Sequence, residues 1–175
     1  ALAALDRDGI TILPNIVTPE ALDSMRTAFC RALSRMRLND IDGYQKTERL
    51  RDVVDDLLLL DQGFVSLGID PYVCDVVRRY VGEDFQLVEC KGWRSRKTMK
   101  DWHGWHGDAW YDQSSVAAIP RELKLGLYLS DVRSGGFAYL KGSHQTVAPR
   151  SVALRDIGSV WKQEQVLVNG PAGTA

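Results

Sequence analysis

Cysteine is scarce: three in 175 residues, at positions 30, 74 and 90. An odd, widely spaced set provides neither a disulfide framework nor a zinc knuckle, and points to a reducing cytoplasmic home. Long apolar runs are missing as well. The four leucines from Leu57 to Leu60 are far too few to span a bilayer, and Asp6, Arg7 and Asp8 break up the opening residues. Neither a signal peptide nor a membrane helix is expected. Charge of one sign is also lacking, with a net of −1. That excludes a basic arm for nucleic acid and a polybasic patch for a membrane surface. No repeat, low-complexity tract or strand–GxGxxG–helix nucleotide loop is visible, and Asp55, Asp56 and Asp61 lack the spacing of an EF-hand. The three-histidine inventory is the most restrictive absence, because two of the three stand close together.

What is present is enough for one ordinary core. A chain of 175 residues that is 45% hydrophobic reads as a single domain over 1–175. Its first half has helical periodicity. Thr18 is suited to cap a helix that opens with Pro19 and Glu20, and Leu22, Met25, Phe29, Ala32, Leu33 and Met36 make its apolar stripe. Asp70-Pro71 opens another in the same way, running to Gly82 with Val73, Val76, Val77 and Tyr80 inward. Between them, Leu50, Val53, Val54, Leu57 and Leu58 predict a helix over 47–60. Ahead of them, residues 9–13 predict a strand ending at Pro14-Asn15.

After Gly82 the period shortens. Strands are expected over 85–93, 124–130, 137–140 and 165–168, with a tight hairpin at Gly135-Gly136. Helices first and strands later argue for an antiparallel barrel or sandwich with helices packed outside.

Chemistry concentrates in Trp102-His103-Gly104-Trp105-His106-Gly107-Asp108-Ala109-Trp110. On a strand, His106 and Asp108 project to one face, while His103 falls on the other. An imidazole and a carboxylate with adjacent open positions suit a first-row divalent metal, as in the two-histidine, one-carboxylate sites of non-haem iron oxygenases. Other readings stay open at this point. They are a buried hydrogen-bonded His-Asp pair in an interaction domain, a catalytically silent metal- or ligand-binding fold, and a cupin-type enzyme using His103, His106 and His144.

Several stretches, in order, resemble the phytanoyl-CoA dioxygenase family of Fe(II)- and 2-oxoglutarate-dependent oxygenases. They are Asp8-Gly9 with Thr18-Pro19-Glu20, Asp70-Pro71 with its helix to Gly82, Trp105-His106-Gly107-Asp108, and Tyr128-Leu129-Ser130-Asp131 leading through Gly135-Gly136 to Lys141-Gly142-Ser143-His144. The resemblance implies a double-stranded β-helix, the cupin-like jelly roll, with N-terminal helices outside. It implies His106 and Asp108 as metal ligands, Lys91 as a contact to the 2-oxoglutarate co-substrate, and Trp93, Trp110 and Tyr111 around a small-molecule substrate that reacts with O2. His144 is expected to be structural. Asp108, where related halogenases carry a small residue, implies hydroxylation or a similar oxidation. The family's second metal histidine and its 2-oxoglutarate arginine follow a Gly-Pro-Ala-Gly-like turn, here Gly170-Pro171-Ala172-Gly173, and the sequence begins without a methionine, so both chain ends read as cut.

Overall fold

The computed structural model describes residues 1–13, 15–35, 51–97, 105–106, 121–145 and 164–175. Within them, helices α1 (Leu2–Asp8) and α2 (Pro19–Arg35) precede strand β1 (Arg51–Val54), helices α3 (Gln62–Gly68) and α4 (Pro71–Val81) follow it, and strands β2 (Gly92–Ser95), β3 (Val132–Leu140) and β4 (Gln165–Gly170) come last. The strands form two antiparallel pairs, β1–β2 and β3–β4.

Helices α2 and α4 start where their capping residues stand. Thr18 Oγ1 accepts from the Ala21 N–H at 3.3 Å, and Asp70 Oδ1 accepts from the N–H groups of Tyr72 and Val73, both at 3.0 Å. Each satisfies donors that the first helical turn leaves without an internal partner. Asp61 does the same for α3 through the Gly63 N–H at 2.7 Å, and the Ser24 hydroxyl donates to its other oxygen at 2.6 Å, tying α3 to α2. The stripe on α2 buries Met25, Phe29 and Ala32 against Val54, Leu57 and Phe64, which together form the core.

Five local expectations need correction. Residues 51–60 are strand β1 followed by a 3-10 turn at Leu57–Leu59, not a helix. Val53 and Val54 are both buried although adjacent, as a strand covered on two faces allows, and Asp56 adopts φ 53°, ψ 47°, which ends any right-handed helix. Residues 9–13 form no strand, because the chain opens on α1 and Gly9 closes it at φ 76°. Leu13 nevertheless pairs with Ala175 in both directions, at 2.7 and 3.3 Å. Residues 85–91 remain irregular, with Leu87 and Val88 exposed, and pairing starts only at Gly92 where β1 is available. Residues 124–130 likewise make one reciprocal pair, Tyr128 with the Gly173 N–H and Thr174 carbonyl, rather than a ladder.

Gly135-Gly136 is not a hairpin either. β3 runs straight through it, and the register jumps from Val132↔Gly170 to Phe137↔Val168, so extra residues on β3 are taken up in a bulge. Gly135 supplies φ 67° there. The Tyr128 hydroxyl fills the gap in the ladder, accepting from the Phe137 N–H at 2.9 Å and donating to the Val168 carbonyl at 2.7 Å. A Cβ on Gly136 would lie 2.0 Å from the Val168 carbonyl oxygen. Gly136→Ala is therefore expected to separate β3 from β4 locally, read as faster amide exchange at Phe137 and Val168, with β1–β2 unchanged.

The N-terminal helix is pinned to the chain after β3. The Gly142 N–H donates to the Asp8 carbonyl at 2.7 Å, and His144 Nε2 and the Gln145 side-chain amide both meet the Asp6 carbonyl, at 3.2 and 2.9 Å. No helix among the described residues is long and apolar enough to cross a membrane.

Candidate metal and ligand site

His106 follows Trp105, which forms an isolated β-bridge, and both side chains are half-buried. Asp108, His103, Trp110 and Tyr111 lie outside the described residues. Among the described residues no group of three or more His, Cys, Asp or Glu side chains is placed to hold a metal ion. The donor set named by the sequence, a neutral imidazole and a carboxylate, still fits a divalent first-row ion by its chemistry. His144, which a three-histidine centre would recruit, is engaged with the Asp6 carbonyl, in keeping with the structural role expected for it.

Lys91 and Trp93 flank Gly92 at the start of β2. Lys91 Nζ lies 2.6 Å from Glu89 Oε1 with its side chain largely covered. Burial pushes the nearby Asp55 carboxyl up; Lys91 pulls it down, while Asp56 and Glu89 raise it further. Trp93 stands opposite Val53 and is half exposed, with the Arg51 guanidinium 5.2 Å above its ring. A cation over the indole face holds such a ring in place without burying it.

Asp52 on β1 faces the arginines Arg94 and Arg96. Asp52 is only 1% exposed and sits directly across from Arg94. Its Oδ2 accepts from Arg94 Nε at 3.2 Å and Nη2 at 2.7 Å, and its Oδ1 accepts from Arg96 Nε at 3.2 Å and Nη2 at 2.5 Å. Four charge-assisted bonds thus offset the desolvation of one carboxylate. The signal was available in part, as an acid followed by Val53-Val54 and two arginines spaced to share a strand face.

This clamp has a definite pH signature. Burial pushes the Asp52 carboxyl up, but the bonds and charges of Arg96 and Arg94 outweigh it and hold the group below the usual range. The unfolded chain, titrating near about 3.9, takes up its proton at higher pH than the folded one. The clamp's contribution is accordingly complete above that value and is lost as pH falls through the lower folded value. Between about pH 5 and about pH 3 the parent should lose more unfolding free energy than Asp52→Asn, measured by urea titration at each pH.

Residues 5–173 match the sequence profile of the phytanoyl-CoA dioxygenase (PhyH) family. The chain belongs to that family. Within the PhyH match stand His106, Asp108, Lys91 and Trp93 alike. An ectoine dioxygenase of Nocardia farcinica (strain IFM 10152) is 25% identical over 158 residues, covering 85% of this chain and 51% of the relative. The chain therefore spans about half the length of that curated relative. The crystal structure of HygX from Streptomyces hygroscopicus, with nickel, 2-oxoglutarate and hygromycin B bound, superposes with a TM-score of 0.63 at 21% identity. That likeness covers 99% of this chain and 74% of HygX, and it establishes a shared fold.

Proposed function

We propose that the protein acts as a non-haem Fe(II)- and 2-oxoglutarate-dependent dioxygenase that hydroxylates or similarly oxidises a small organic molecule, with succinate and CO2 as co-products. The observation that carries this reading is His106-x-Asp108 inside the span matched to the family. The fold shared with HygX and the two antiparallel pairs beside helices support a double-stranded β-helix, with residues 1–175 as one oxygenase-like domain.

In this reading His106 presents a neutral imidazole lone pair and Asp108 an anionic oxygen to the iron. A second imidazole and an arginine, which the family places after a turn like Gly170-Pro171-Ala172-Gly173, complete the centre. When bound, iron and 2-oxoglutarate supply the oxidative decarboxylation that drives attack on a substrate C–H bond. The polypeptide's part is to orient and to exclude water. Lys91 offers its ammonium to a co-substrate carboxylate in exchange for Glu89, while Trp93, Trp110 and Tyr111 wall the substrate. An aspartate at position 108, where a halogenase would carry a small residue, favours hydroxylation over halogenation. Ectoine, in the name of the Nocardia farcinica relative, and hygromycin B, bound in the HygX crystal structure, support a small-molecule substrate rather than nucleic acid or membrane.

Protein loaded with Fe(II) under argon should convert 2-oxoglutarate to succinate once O2 is admitted. Succinate no higher than in the iron-free control would leave a silent ligand-binding fold instead.

A further inference from the structure

We propose that Asp52 is a positioning residue for the ligand-bearing strand. Through Arg94 and Arg96 it fixes the register of β1 against β2, and thereby which way Trp93 and Lys91 are presented. The inference rests on the functional reading above, in which those two side chains meet substrate and co-substrate.

Two four-residue strands specify their register weakly, and a slip of one residue turns every side chain to the opposite face. Here a slip would move Trp93 from the Arg51 side to the side now held by Arg94. Two features oppose it. The first is the clamp: with Asp52 1% exposed, water has no access to replace the bonds that a slip would break. The second is Gly92, where a Cβ would lie 3.0 Å from Phe29 Cε2 and 3.2 Å from Leu57 Cδ1. A shifted register would bring Lys91 or Trp93 into that space, which admits only glycine without displacing the core. Gly92 excludes the wrong neighbours sterically, and Asp52 selects the right one by charge.

A buried ion pair is poor evidence for stability, because well-packed apolar replacements are often as stable. Its best-attested use is registry. The geometry fits that use, since the two arginines approach one carboxylate from positions two residues apart on the same strand face, 42 and 44 residues along the chain from Asp52.

The test is 2-oxoglutarate binding by calorimetry, with Mn(II) replacing iron and O2 excluded, on the parent protein, Asp52→Asn and Phe64→Ala. Phe64 belongs to the core cluster and has neither a charge nor a ligand role in this account. Asp52→Asn should bind 2-oxoglutarate about tenfold more weakly, the scale on which supporting shells act. Amide exchange over 92–95 should quicken with it. Phe64→Ala should melt earlier yet bind as the parent does. Should Asp52→Asn fail to fold, Arg94→Lys takes its place, because a lysine keeps the charge but loses the two-donor edge. Parent-like affinity in the Asp52 or Arg94 variant overturns the positioning role and leaves the functional reading standing. A parent protein that binds no 2-oxoglutarate with Mn(II) overturns the functional reading, and the positioning role falls with it.

Discussion

Replacing His106 with alanine is expected to reduce O2-dependent succinate formation to that of iron-free protein. The reading gives this chain two metal donors, and loss of the imidazole leaves Asp108 as a single charged oxygen with little selectivity for a first-row ion. Supporting groups around such ligands cost 10–100-fold when removed, so loss of the ligand itself must exceed about a hundredfold. His103→Ala, of opposite strand parity, is expected to keep most of its turnover. His106 is half-buried, so its removal should leave the melting temperature close to the parent's and separate a chemical defect from a folding one. Succinate quantified by chromatography decides the matter. His106→Ala with more than about a tenth of parental turnover would remove it from the metal site.

The largest expected effect on stability is at Phe29. Its ring is 7% exposed, it belongs to the cluster with Met25, Val54 and Leu57, and it forms the floor beneath Gly92. Phe29→Ala removes a buried ring and leaves a space that surrounding helices close only in part, at a cost of about 3–5 kcal/mol. Urea unfolding should show the loss as a lower midpoint with an unchanged slope. Arg31→Ala, two residues on, should stay within about 0.5 kcal/mol. A similarly small change at Phe29 would mean that α2 does not cover the core as described.

Both results bear on how much of the molecule its sequence discloses. Helices α2 and α4 were readable because their starts are written locally, in Thr18-Pro19 and Asp70-Pro71, and their stripes repeat at helical spacing. β1 was not. Val53, Val54 and Leu57 satisfy helical spacing equally well, and only pairing with residues some forty positions away makes that stretch a strand. The Gly135-Gly136 bulge was hidden for a similar reason, since it depends on the Tyr128 hydroxyl bridging two strands.

The site divides along the same line. His106-x-Asp108 can be proposed from sequence because its residues lie within three positions of chain. The Asp52 clamp cannot, because an aspartate declares itself buried only once Arg94 and Arg96 have folded onto it. His144 meets the Asp6 carbonyl and so helps to hold α1, a contact 138 residues away along the chain that sequence alone does not disclose.

The most direct test of the central claim is the fate of the oxygen atoms. Fe(II)-loaded protein given 2-oxoglutarate under 18O2 in ordinary water should release succinate carrying one heavy oxygen, because the reaction places one atom of O2 in the new carboxylate. Succinate without label, or none above the iron-free control, would contradict the dioxygenase account.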